Sequence, residues 1–259
     1  MNKENGLRRY REHLQGKLDT LIEIESHVHY GEPPPPCRDP FVIVKRDSPV
    51  LLSAPHGART FRNEENERWH EEDEYTAGMA LLLGQLCNTS VIATVWRTDD
   101  CDPNTHYEEC CAYKGAMRKL VREKNIRYVI DLHGAASHHP WLVDLGTRYD
   151  KDDKDDKRPS LDCSHRKRLK KCIVDRLGEG ALSKGNVNGA KDKGRVTAFA
   201  QEGLDLQAVQ IEMNSRVRIP FRRTDASRFA IDGPFSAEPS KVVGMMQALV
   251  EFISYLKTT

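Results

Sequence analysis

No stretch of these 259 residues is long and apolar enough to cross a bilayer as a helix, so the sequence predicts no membrane contact. Charge of one sign is also missing. Forty basic and 39 acidic residues nearly cancel to a net +1, which removes the long-range field that draws proteins to nucleic acid. There is no basic stripe interleaved with aromatics, and the runs RKRLKK and DKDDKDDKR are short, solvated surface. The opening segment MNKENGLRRYREHLQGK has no apolar core of the kind a secretory signal needs. None of the seven cysteines forms a C-x-x-C pair, and they read as reduced thiols. Cytoplasmic location is the expectation. No phosphate-binding G-x-x-x-x-G-K-[ST] and no G-x-S-x-G nucleophile elbow occurs.

What is present is a soluble-protein balance of 38% hydrophobic and 31% charged residues. We expect one domain spanning 1–259. An amphipathic helix over 5–25 carries Leu14, Leu18, Leu21 and Ile22 at helical spacing, and cannot bury that face alone. A connector at 31–40 follows, in which four consecutive prolines enforce extended backbone. Short apolar runs then alternate with helical patterns. Strands are expected at 41–45, 49–55, 90–97, 127–133, 141–147 and 206–214, with two weak strands in 185–200. Helices are expected at 73–87, 106–125, 162–182 and 236–257, a charged loop at 150–160, and a long ordered loop at 216–235. Strand–helix alternation with fully apolar strands predicts an α/β fold, a central and largely parallel sheet covered on both faces.

The chemistry gathers where apolar strands end. PVLLSAP runs into His56, RYVID into His133, and LQAVQI into Glu212. Parallel neighbouring strands bring such ends together at the carboxyl edge of the sheet, where α/β proteins bind ligands. Two histidines there suit a divalent metal such as zinc, whose catalytic sites use three protein ligands and one open position. The third ligand should be a carboxylate from WHEEDEYTAG, which offers Glu71, Glu72, Asp73 and Glu74. Spacing does not choose among them. Beside a metal, Glu212 could take a proton from water and return it to a leaving amine; without one, an ion pair with Arg216 or Arg218 is the plainer role. Asp131 shares a strand face with His133 and could orient it. The loop after the 90–97 strand supplies Arg97, Asp102 and Asn104. Arg97 could fork a substrate carboxylate, and Asn104 could bind substrate or cap the next helix. Arg216 and Arg218 are further anion-binding candidates, and His138 and His139 possible substrate contacts.

The order SAPHG, EEDEYT, the DPN loop, VIDLHG and QIEMN resembles the N-formylglutamate amidohydrolase family over about residues 48–220. That family looks related to zinc carboxypeptidases and aspartoacylases. The resemblance implies a three-layer αβα sandwich with a mixed, eight-stranded-type sheet. It implies zinc held by His56, Asp73 and His133, with Glu212 activating water. One departure stands out. In carboxypeptidases the acidic ligand follows the first histidine by three residues, where this sequence has Arg59. Asp73 fits best instead, with Glu72 and Glu74 as alternatives. The implied activity is zinc-dependent cleavage of the amide of an N-acyl amino acid, a small substrate carrying a carboxylate that Arg97, Asn104 or Arg216 would bind. A peptidase or esterase on the same scaffold, or a binding protein without turnover, are the other readings.

Overall fold

The computed structural model describes residues 16–63, 68–105, 111–148, 159–184, 194–227 and 238–259. Its centre is a six-stranded sheet in the order β1-β5-β2-β6-β8-β7. The strands are β1 (Phe41–Val44), β2 (Val50–Ala54), β5 (Ser90–Thr94), β6 (Tyr128–Ala135), β7 (Val143–Gly146) and β8 (Gln207–Asn214). The four inner strands run parallel, and β1 and β7 close the edges antiparallel. β3 (Thr60–Asn63) and β4 (Arg68–His70) form a separate two-stranded hairpin. Six main strands, rather than the eight-stranded type implied by the resemblance, make the sheet among the described residues.

Every residue of β2, β5 and β7 is buried, as expected of strands covered on both faces. The two faces differ. Val50, Leu52, Ala54, Ile130, Leu132, Val209, Ile211 and Met213 meet helices α1 (16–26), α2 (Thr76–Cys87), α4 (Cys163–Leu177) and α6 (Pro239–Leu256) in one large apolar cluster. Leu51, Ile92, Val129 and Ala208 face the other way, onto Tyr113, Met117 and Leu120 of α3 (Ala112–Lys124) and Phe199. This is the expected three-layer αβα arrangement. The second face is apolar only in its first half. Further along the same parity lie Ser53, Asp131, Gln210, His133 and Glu212, all buried. The strands therefore change character along their length and on one side only.

Several boundaries differ from expectation. Of the weak strands expected at 185–200, none appears among the described residues 194–200. Residues 185–193 lie outside the described set, and α5 (Val196–Ala198) runs into a π-helical turn at Phe199–Gly203. The 162–182 helix stops at Leu177, because Gly178 turns to φ 95. The β3–β4 hairpin carries Arg, Asn, Trp and His, which give no strand signal. Residues 150–158 of the expected charged loop and 228–235 of the 216–235 loop lie outside the described residues. No helix among the described residues is long and apolar enough to cross a membrane.

Helix α1 is pinned by a fully buried carboxylate. Glu25 accepts from Tyr30 Oη at 2.6 Å and from the backbone N–H groups of Tyr75 and Gly78, both at 2.7 Å. Those N–H groups open α2 and have no partner within their own helix. Burial pushes the Glu25 carboxyl up to about 7, against the pull of these hydrogen bonds and of Arg223. A pKa raised from 4.5 to about 7 makes the native state roughly 3 kcal/mol more favoured at low pH than at high pH through this group. That contribution is complete below pH 4.5 and is lost as pH rises through 7. Glu25→Gln should flatten the fall of thermal stability across this window. It should also cost about 1–3 kcal/mol overall, because its amide faces the Gly78 N–H. Melting curves from pH 4.5 to 8 check both effects, and an unchanged slope rejects the assignment.

Candidate metal centre

His56 follows β2 after a single residue, Pro55, and His133 lies within β6, which pairs with β2. Asp73 sits between β4 and α2 and is stitched to the first histidine by its own backbone, Asp73 N donating to His56 O at 2.7 Å. Its carbonyl accepts from Thr76 N and Thr76 Oγ1, which starts α2. The three side chains converge. Asp73 Oδ2 lies 3.6 Å from His56 Nδ1 and 3.4 Å from His133 Nδ1. One ligand atom from each lies within 4.8 Å of the other two, and all three residues are buried.

A glycine follows each histidine, and both are closely packed. A Cβ at Gly57 would fall 2.4 Å from Thr94 O and 2.5 Å from Ala77 Cβ. At Gly134 it would meet the Arg218 guanidinium at 2.7 Å. The loop carrying His56 thus lies flush against β5 and α2, and Arg218 lies flush against β6.

Both imidazoles present Nδ1 to the centre and give Nε2 to a carboxylate. His56 Nε2 pairs with Asp102 Oδ1 at 2.8 Å, and His133 Nε2 with Asp131 Oδ2 at 3.2 Å. A proton on each Nε2 leaves the lone pair on Nδ1, the form a metal ligand needs. Asp102 is fixed in turn by Arg62 Nε at 2.8 Å and by the Asn104 N–H. Asp131 accepts from Ser53 Oγ and Thr197 Oγ1. His56 Nδ1 is buried with no hydrogen-bond partner among the described residues. An orphaned nitrogen facing a carboxylate and a second imidazole fits a divalent cation.

The electrostatics agree. Burial alone would push the Asp73 carboxyl up. The neighbouring imidazoles, His133 first and then His56, outweigh it and hold the carboxyl well below its usual range. Burial likewise disfavours charge on the histidines. Asp102 outweighs it for His56, and Asp131 more strongly for His133, so both are raised. Glu212 is the register partner of His133 across the parallel β6–β8 pair. Burial raises its carboxyl, against the pull of His133, toward the range of a working acid–base group. Gln210 Nε2 holds one oxygen at 2.6 Å.

Glu72 and Glu74 flank Asp73 but turn elsewhere. Glu72 accepts from Arg59 Nε and Ser227 Oγ, and Glu74 from Arg222 Nε. The structure thus brings Asp73, and not its neighbours, to the histidines. Arg97 is forked onto Asp99 at 2.6 and 3.1 Å. Asn104 is buried, with Oδ1 accepting from Val196 N. Arg216 Nη2 donates to the carbonyls of His139 and Trp141. Arg218 donates to Met213 O and Glu74 O. These groups brace the rim rather than meet at the centre.

Three residues near the centre escaped the sequence reading. His70 stacks on His56 with ring centroids 3.8 Å apart, and its Nδ1 meets Glu71 O at 2.6 Å. Burial, then the charge of His56, pushes it down to about 3. Arg62 anchors Asp102 from the same hairpin. Arg195 acts on the charge of Glu212. None follows an apolar strand, the signal that exposed the others.

The fold is shared with known proteins at very low sequence identity. The structure of N-formylglutamate amidohydrolase from Ralstonia eutropha JMP134 aligns over 85% of this chain and 98% of its own, at 10% identity and a TM-score of 0.53. A gene product of Agrobacterium tumefaciens aligns over 84% and 94%, at 10% identity and a TM-score of 0.52. No family model and no curated protein matches the sequence. At this identity the likeness establishes the fold, the one expected from the resemblance.

If Asp102 and Asp131 orient the ligands, Asp102→Asn and Asp131→Asn should each weaken metal affinity by about 10–100-fold, measured by chelator competition. Affinity in the unaltered protein should rise with pH, because a cation must displace the protons that the two raised histidines hold. Equal affinity at pH 6 and 8 would count against this site.

Proposed function

We propose that the chain is a metal-dependent amidohydrolase, zinc-loaded, acting on an N-acyl amino acid or a similar small amide with a carboxylate. One observation carries this reading: two imidazole Nδ1 atoms and the Asp73 carboxylate converge beside Glu212, in a buried cluster at the carboxyl ends of parallel strands. The shared fold with an amidohydrolase supports it. Zinc suits two imidazoles and one carboxylate with a position left open.

The bound metal would supply Lewis acidity toward the scissile carbonyl and the attacking water. The chain supplies the rest. Asp102 and Asp131 hold the imidazoles in one tautomer. Glu212 takes a proton from the attacking water and delivers it to the leaving nitrogen, a shuttle that its raised pKa favours. Gln210 fixes the orientation of Glu212 through the oxygen it holds. Arg97 and Arg216 remain candidate anchors for the substrate carboxylate, although each already serves an internal acceptor. Arg195, whose charge reaches Glu212, is a further candidate anchor.

Glu212→Gln should keep stoichiometric metal while turnover of N-acyl amino acids falls by about 10²–10⁴-fold. A metal-loaded variant with full activity rejects the role. Arg195→Met should raise KM for carboxylate-bearing substrates more than it lowers kcat. Equal loss on a neutral N-acyl amine would show that it anchors no carboxylate.

A further inference from the structure

The loop that delivers Asp102 to His56 begins at Cys101, and α3 begins just after Cys111. These two sulfur atoms meet. Cys101 Sγ donates to Cys111 Sγ at 2.9 Å, with the residues 3% and 2% exposed. The gap exceeds a covalent S–S bond by roughly 0.9 Å. No other cysteine pair among the described residues makes such a contact, and Cys37 and Cys163 are exposed and single.

We infer that Cys101 and Cys111 form a reactive dithiol, which a small hydroperoxide converts to an intramolecular disulfide that locks the loop holding Asp102. The proposal is independent of the hydrolase reading. Cys111 is the attacking sulfur, for three reasons. It accepts the hydrogen bond from Cys101, it lies at the N-terminus of the 13-residue α3, and the buried Lys114 stands one turn on. A helix N-terminus and a neighbouring cation both favour thiolate. The Cys101 hydrogen bond, followed by the backbone and charge of Lys114, accordingly brings the Cys111 thiol down against its burial. The same partnership, and after it burial, pushes Cys101 up, which suits it as the resolving thiol.

The chemistry balances. The Cys111 thiolate attacks one peroxide oxygen. An S–O bond forms, the O–O bond breaks, and hydroxide leaves to become water with the Cys111 proton. Cys101 sulfur then attacks the sulfenic sulfur. The S–S bond forms, the S–O bond breaks, and the second hydroxide leaves with the Cys101 proton. Two thiols are oxidised, and one peroxide is reduced to two waters.

The consequence falls on His56. Cys101 is covalently adjacent to Asp102, which holds His56 Nε2 and accepts the Asn104 N–H. A bond from Cys101 to the start of α3 removes the freedom of this loop to carry Asp102 away.

The test treats the full-length protein with hydrogen peroxide, blocks free thiols, and reads the tryptic peptide 98–114 by mass spectrometry. The expected product has lost two hydrogens, and reductant restores it. It forms in the unaltered protein and in Cys110→Ser, and is absent from Cys101→Ser and Cys111→Ser. Unfolding in urea before oxidation should abolish the preference for this pair. Amide exchange at Asn104 should slow severalfold in the oxidised form. Blocked thiols at both positions after exposed Cys37 and Cys163 have oxidised would overturn the dithiol. Unchanged exchange at Asn104 in a fully oxidised sample would overturn the lock.

Discussion

Each histidine of the centre hands one ring nitrogen to a buried carboxylate, and the rest of the site depends on that pair of hydrogen bonds. Without Asp102 and Asp131, either ring could turn or place its proton on the nitrogen that faces Asp73. Four carboxylates crowd this small volume: Asp73, Asp102, Asp131 and Glu212. Uncompensated, such a cluster would be strongly destabilising. Arg62 pairs with Asp102, Ser53 and Thr197 donate to Asp131, Lys114 and Arg195 add nearby positive charge, and the imidazoles hold Asp73. A dication would complete this balance while displacing protons already present.

Much of this was legible because the same feature builds the fold and the site. A parallel strand buried on both faces must be apolar, so a polar residue at its end stands out. His56, His133 and Glu212 were found that way, and β6 and β8 align the last two residue for residue. Which of the four carboxylates meets the histidines was not legible from spacing. Glu71 to Glu74 are consecutive carboxylates in an irregular turn, where direction depends on backbone dihedrals and not on a period. Tyr75 at φ 65 shows how sharply that turn winds. Only partners decide: Arg59 and Ser227 draw Glu72 away, and Arg222 draws Glu74.

Arg97, Asn104 and Arg216 already have internal partners, which residue type alone does not reveal. A guanidinium that suits a ligand carboxylate suits Asp99 or a backbone carbonyl equally well. The hairpin that carries Arg62 and His70 was invisible for a related reason. A two-stranded ribbon lying over a site need not be apolar, so nothing in its composition marks it. Length misled in the opposite direction at 196–203, where a short apolar run forms helical turns rather than strands.

The sheet is oily along the whole of one side, but only along the first half of the other. This asymmetry leaves the strands a single pairing. A slip of one residue in β6 would swing Leu132 toward Asp73 and drive His133 in among Val209, Ile211 and the packed helices. A slip of two would keep the faces but set His133 beside Gln210 or Asn214, far from its acid. The same strands that make the interior dry therefore keep the address of every polar side chain, and misaligned assembly would lose solubility and chemistry together.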